Sequence, residues 1–259
     1  MFRMLTLIGG AVQPLGISEV RRTLGLPLST AHRLLSSLEQ AGYIERYQAS
    51  TRYVTGRNAR QLAHSFFSRF GIRDVCIPYM QQIAFSCGET TSLSIPIGVN
   101  SIRIASVPGS NEVVSSHSLG DTRPLDASIG GLAMLASMPK VALDVFLAWR
   151  TNVSPALKIA VLKKQLKQVQ ACGYAFEETS FSPGRAAMAV AIKVSGRPIA
   201  AICLEGPVIS IDKKRSGGEH VQRWLAIAGE ISHLAEEQPG MAKNHYEHIQ
   251  PEQMPPWRG

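Results

Sequence analysis

The stretch from Leu26 to Arg46, "LPLSTAHRLLSSLEQAGYIER", constrains the fold more than any other part of the chain. Ala31, Leu34, Leu35 and Leu38 recur at helical spacing and form one apolar stripe. Ser29 stands where an N-cap is expected, and Gly42 stops the helix. Just upstream, "ISEVRRTLG" predicts a shorter helix with Ser18 as its cap, Glu19 in the first turn and Gly25 as a left-handed stop. A still earlier helix, "FRMLTLIG", carries Phe2, Leu5 and Ile8 at helical spacing. Downstream, "YIERYQASTRYVTG" reads as strand, polar turn and strand. Two helices joined by a short Gly-containing link and followed by a hairpin describe a winged helix-turn-helix.

In such a unit the second helix lies in the DNA major groove and offers its N-terminal residues to base edges. With the apolar stripe facing inward, Ser29, Thr30, His32, Arg33 and Ser36 or Ser37 point outward, a short and donor-rich set. Ser18, Arg21 and Arg22 on the preceding helix join the DNA-facing set. Arg46, Arg52 and Tyr53 in the hairpin are expected beside the duplex backbone or in a minor groove. Charge agrees: residues 1–70 hold nine arginines against three glutamates, +6 of the chain's net +8, with no lysine. A solvated basic surface explains that excess equally well from charge alone.

The chain has 259 residues, enough for two domains, and its 45% hydrophobic content fits an ordinary soluble protein. No segment reaches the roughly 18–20 apolar residues of a membrane span. The first residues lack the long apolar region of a signal peptide. Cys76, Cys87, Cys172 and Cys203 are scattered without a CxxC pair, which argues against zinc or a disulfide framework and fits the cytoplasm. No motif calls for a cofactor.

"GRNARQLAHSFFSRFGIRDV" reads as a linker helix whose Phe66, Phe67 and Phe70 either pack on a second subunit or dock on the chain's own C-terminal part. Beyond about residue 75 the pattern becomes mixed α and β. The expected elements are the helix "IPYMQQIAFSCG", strands "TTSLSIPI", "SIRIASVP" and "EVVSSHS", a loop and helix in "PLDASIGGLAMLASM", and helices near 141–149 and 155–171. A hairpin over 186–205 turns near Ser195 to Arg197, and "GGEHVQRWLAIAGEISHLAEEQ" is the last helix. The fold class is therefore α+β. The domain plan is a winged helix at 1–56, a linker helix at 57–72, an effector-binding domain at 73–236 and a poorly ordered tail at 237–259.

The 186–205 hairpin has two unlike faces. With a three-residue loop, Met188, Val190, Ile192 and Val194 share a face with Ile202 and Leu204. The other face carries Ala187, Ala189, Ala191, Ala201, Cys203 and Glu205, with Ala187 opposite Glu205 and Ala189 opposite Cys203. Such a small-residue face with one carboxylate either lines a small-molecule cavity or receives a closely packed helix, with Glu205 then at an exposed rim. Glu177, Glu178 and Arg185 in the loop before it line the cavity mouth or form a solvated cluster. The "DASIGG" turn precedes a helix, and its backbone N–H groups suit an anionic or carbonyl group.

Laid out this way, the chain resembles the IclR family of bacterial transcriptional regulators from Phe2 to about Leu234. The resemblance is carried by "LGLPLSTAHRLLSSLEQAGYIER", "CGETTSLSI", "RPLDASIGGLAMLA", "GYAFEETSFSPG" and "AAICLEGP", in the family's order. It implies a winged helix for operator DNA and a GAF-like domain for a small organic effector, such as an organic acid or aromatic compound. It also implies a homodimer or homotetramer, without a membrane. The implied effector residues are Ile129, Gly130, Glu177, Ala187, Cys203 and Glu205.

Departures from the family pattern are Leu28 for lysine, Arg21 for alanine, Asp126 for histidine, Leu132 for lysine, Ala187 for cysteine and Glu205 for serine. Members usually carry more residues before the first helix. A buried carboxylate at 205 would repel an anionic ligand, so the expected effector is neutral or hydroxylated, or presents a hydrogen-bond donor. An enzyme would need Cys203 or Ser29 as nucleophile, or Glu177 and Glu205 as an acid–base pair. No histidine is near Cys203 in sequence, and capping and DNA contact already explain Ser29 and His32. The further alternative is a winged helix that binds protein instead of DNA.

Overall fold

The computed structural model describes residues 1–11, 13–67, 71–111, 119–153, 156–178 and 184–238. The chain divides into two compact units, Met1–Arg69 and Phe70–Gly259.

The first unit contains α1 (Phe2–Gly9), β1 (Leu15–Gly16), α2 (Ile17–Leu24), α3 (Leu28–Gln40), β2 (Ile44–Arg46), β3 (Arg52–Thr55) and α4 (Arg57–Phe67). Its three strands form one antiparallel sheet in the order β1-β3-β2. Met4, Ile8, Val20, Ala31, Leu35, Leu38, Ile44 and Tyr53 make a single buried core. Leu34 is only partly buried, and Phe2 is 80% exposed, with Met4 filling the inward position instead. Gly25 ends α2 at φ 64°, in the left-handed region expected of it.

Both predicted caps in this unit move. α2 begins at Ile17 with Gly16 as its N-cap, and the Gly16 N–H donates to Glu19 Oε2 at 2.7 Å. Glu19 satisfies that donor, so Ser18 lies inside the first turn. α3 begins at Leu28 with Pro27 as N-cap and no side-chain cap bond. Pro27 needs no N–H partner and its φ of −59° already suits helix entry. Ser29 is thereby a first-turn residue with an exposed side chain and not a cap.

The second unit contains α5 (Gly71–Cys87), β4 (Thr90–Ile97), β5 (Asn100–Val107), β6 (Thr122–Pro124), α6 (Ile129–Ala136), α7 (Lys140–Val153), α8 (Ala156–Cys172), β7 (Ala175–Glu178), β8 (Arg185–Val194), β9 (Arg197–Pro207), α9 (Val208–Ser216) and α10 (Glu219–Glu237). All six strands pair antiparallel in the order β6-β5-β4-β9-β8-β7. The helices divide between its faces. α5, α9 and α10 pack on the face of Leu93, Met188, Val190, Ile202 and Leu204, whereas α6 covers the alanine face, backed by α7 and α8.

The β8–β9 hairpin keeps the expected pairs, Ala187 with Glu205 and Ala189 with Cys203. It does so by a different route. The loop has two residues, Ser195 (φ 49°) and Gly196 (φ 72°), and a bulge between Ile192 and Lys193 restores the register. β1, β6, β7 and α9 were not expected. Glu177 and Glu178 consequently lie on edge strand β7, not in a loop. The helix predicted from Ile77 starts earlier, at Gly71, and carries Pro78 inside it. The strand expected in "EVVSSHS", the packing of Phe66, Phe67 and Phe70, and the tail beyond Gln238 lie outside the described residues.

Candidate functional site: a DNA-facing helix and the lined interior of a curled sheet

α3 turns Ala31, Leu35 and Leu38 fully inward, each at 4% exposure or less. The opposite side shows Ser29, His32 and Arg33 exposed, with Thr30 and Ser36 half-buried beside them. Arg21, Arg22 and Ser18 are exposed on α2. Leu28, at the first position of α3, is 55% exposed, so the position where the resemblance led to an expected lysine faces outward.

The hairpin divides its expected DNA contacts. Arg46 and Arg52 are exposed, but Tyr53 is 5% exposed and belongs to the core. Strand alternation decides this: Arg52 and Tyr53 are neighbours on β3 and must point to opposite sides. Tyr53 is thus corrected from a DNA-facing residue to a core residue whose hydroxyl accepts from Arg46 Nη2 at 3.1 Å. Arg46 also lies over the Tyr53 ring, 5.1 Å from its centroid, and pairs with Glu39 at 3.0 Å. Arg52 is anchored to the Pro14 carbonyl at 2.6 Å and to Glu19 at 3.2 Å.

The six expected effector residues gather on the alanine face of the second unit. Ile129 and Gly130 open α6, whose N-cap Ser128 accepts from the Gly131 N–H at 3.1 Å. α6 lies so close that a Cβ built on Gly130 would stand 3.0 Å from Cys203 Sγ and 3.5 Å from Ala201 Cβ. Over Ala201 and Cys203, therefore, the small residues receive a helix. Glu177, Ala187 and Glu205 form one cross-strand row beyond it, through the pairs Glu177–Ala187 and Ala187–Glu205. Glu205 is not at an exposed rim; it is 8% exposed.

The partner of Glu205 was missed in the sequence. Arg103 on β5 reaches across β4 to form an ion pair with Glu205 Oε1, and Ser92 Oγ donates to the same oxygen at 3.2 Å. Arg103 is itself 8% exposed. The repulsion expected from a lone carboxylate at 205 is therefore already offset from within the chain. Arg103 sits between Ile102 and Ile104 in "SIRIASV", on the face of Ser94.

A second arginine completes the face. Burial pushes the Glu177 carboxyl above the ordinary glutamate value, and Arg123 on β6 opposes that shift. β6 and β7 are the two edges of the sheet, and an interaction between charges on them fits a sheet that is curled and not flat. Its interior presents Arg103 and Arg123, Glu177 and Glu205, with Ala187 between the carboxylates. Cys203 lies deeper, where burial and the neighbouring Glu205 push its thiol up to about 12.

Around this row the chain fixes its frame with further buried polar contacts. Asp126 Oδ2 accepts from Arg150 Nε at 2.5 Å, tying the turn before α6 to α7. Glu89 accepts from Ser210 at 2.5 Å and Asn111 at 2.9 Å, and pairs with Lys214 at 3.4 Å. A cleft of about 250 Å³ opens outside β7, bordered by Leu132, Gln168, Tyr174, Phe176 and Arg215, and touches none of the six expected residues. Among the described residues no group of His, Cys, Asp and Glu could hold a metal, and no helix is long and apolar enough to cross a membrane.

The sequence profile of the IclR helix-turn-helix domain matches residues 1–47, and that of the bacterial transcriptional regulator IclR C-terminal domain matches residues 64–233. The chain belongs to the IclR family of bacterial transcriptional regulators. Among IclR-family relatives, the HTH-type transcriptional repressor AllR of Klebsiella pneumoniae is 28% identical over 213 residues, covering 80% of this chain and 78% of its own. The crystal structure of the Thermotoga maritima IclR shares the fold with a TM-score of 0.70 at 24% identity, over 91% of this chain and 96% of that one. An IclR homolog from Microbacterium hydrocarbonoxydans, complexed with 4-hydroxybenzoate, shares it with a TM-score of 0.69 at 20% identity, over 90% and 97%.

Proposed function

We propose that this IclR-family regulator reads operator DNA through α3 and adjusts its grip when a small organic effector binds inside the curled sheet. Residues 1–56 form the reading head, 57–72 the connector and 73–236 the sensor. The exposed side of α3 carries the reading: Ser29, Thr30, His32, Arg33 and Ser36 share it, opposite an apolar side that is shut in the core. A helix in the major groove specifies sequence through such residues. Arg21, Arg22, Arg46 and Arg52, with Ser18, hold phosphates and fix the register. Tyr53 acts only by supporting Arg46.

Two copies present two α3 helices to successive major grooves, and pairing of dimers gives the tetramer. The effector contacts Glu177, Ala187 and Glu205 beside Ile129, with Gly130 and Cys203, packed against each other, behind them, and favours one arrangement of the reading heads over another. The AllR relative supports repression as the sense of control. The Microbacterium homolog, which shares the fold, is complexed with an aromatic small molecule, and this supports the effector role. The protein works in the cytoplasm as a binding protein and not as an enzyme. With its thiol at about 12, Cys203 supplies no thiolate at neutral pH.

The test uses the full chain. Genomic fragments are selected for binding, and metabolites that raise the melting temperature are then added to titrations of the selected duplex. The reading requires at least one such metabolite to shift duplex affinity. Metabolites that bind without moving it would contradict the regulatory link.

A further inference from the structure

Two donors converge on one buried oxygen. Arg103 reaches Glu205 Oε1 from β5, Ser92 donates to that same atom from β4, and both charged side chains are only 10% exposed. A guanidinium and a hydroxyl around one carboxylate oxygen are the donor set with which proteins hold carboxylate ligands. Here the carboxylate is covalently part of the chain.

Other charged side chains share this face. Arg103 and Arg123 lie towards one edge of the sheet, Glu205, Glu177 and Arg185 towards the other, and the residue between the two glutamates, Ala187, has a short side chain. A ligand carboxylate beside the buried Glu205 would bring two like charges together where solvent screens them poorly, with Arg103 already engaged by Glu205. A hydroxyl or amide N–H would instead find carboxylate lone pairs to accept it.

We infer that Arg103 and Ser92 form an anion site which Glu205 fills as a tethered occupant, so that this face selects neutral, donor-bearing ligands over carboxylates. The anion site stands on the contacts above. The selection of ligands rests in addition on the proposed effector role.

The direct probe is acetate, which matches the end of a glutamate side chain. Full-length wild type, Glu205→Ala and Arg103→Leu/Glu205→Ala are melted in sodium acetate, in sodium chloride of equal ionic strength, and in chloride with acetamide. Glu205→Ala is expected to melt well below wild type in chloride and to gain about 3 °C or more in acetate alone. Wild type and the double variant are expected to show no acetate-specific gain. No such gain in Glu205→Ala, or the same gain in all three proteins, overturns the assignment.

If Glu205→Ala is recovered only unfolded, refolding it in acetate against chloride asks the same question. Folded protein in acetate alone supports the site, and unfolded protein in both contradicts it. Neither DNA nor an effector enters this experiment. Its failure would therefore remove the anion site and leave the effector role standing, while a failed metabolite response would do the reverse.

Discussion

Arg103 and Glu205 are two strands apart in the sheet, yet their side chains meet over β4 and share Ser92 as a neighbour. Burial makes the pair expensive to break and cheap to replace. Glu205→Leu leaves a buried guanidinium without its carboxylate and should cost about 3–5 kcal/mol. Arg103→Leu/Glu205→Leu removes both charges and should recover most of that loss. Urea denaturation of the two variants measures the difference.

Glu177 predicts a pH dependence. Its folded-state carboxyl is held above the ordinary glutamate value by burial, so the folded protein binds the proton more tightly than the unfolded chain. Its contribution to stability is present at acid pH and is lost as pH rises from the ordinary glutamate value through the raised one. Glu177→Gln cannot lose a proton there. Its melting temperature should gain on wild type between pH 4 and neutrality, whereas a constant offset would contradict the burial argument.

Gly206 is fixed by close approach. A Cβ at this position would stand 2.3 Å from Glu89 Oε2, in the middle of the contacts Glu89 makes with Ser210, Lys214 and Asn111. Gly206→Ala should destabilise the second unit by about 1–3 kcal/mol. A lower urea midpoint, with duplex binding retained by the folded fraction, is the expected result.

Leu28 and Tyr53 make opposite predictions in the first unit. Leu28 faces outward at the start of α3, so Leu28→Lys should add a phosphate contact and steepen the salt dependence of duplex binding by roughly one unit of log–log slope. Tyr53→Phe should leave that slope unchanged, because Tyr53 is a core residue. Loss of its bond to Arg46 should cost about 1 kcal/mol in unfolding.

Much of this arrangement is legible in the sequence because periodicity is a strong signal. The stripe of Ala31, Leu35 and Leu38 specifies α3, and the alternation in 186–205 specifies which residues share a face with Glu205. Short polar or proline-containing strands carry no such pattern. β6 is three residues ending in Pro124, β7 is four with two glutamates, and both escape detection. The caps fail for a local reason: Glu19 reaches back to the Gly16 N–H, and Pro27 enters α3 with a fixed φ and no side-chain cap bond. Arg103 escapes because a strand arginine reads as outward until the sheet order places it opposite Ser94. The clue was in "TTSLSIPI", whose Thr90, Ser92 and Ser94 form a polar face that can only be buried against polar partners.

Arg33 is the most direct test of α3 as the reader of DNA. Fluorescence anisotropy titrations compare wild type and Arg33→Ala on a selected operator duplex and on a scrambled duplex at fixed salt. Arg33→Ala is expected to lose about tenfold or more on the operator and less on the scrambled duplex, with an unchanged melting temperature. Equal operator affinity for the two proteins would contradict α3 as the reader.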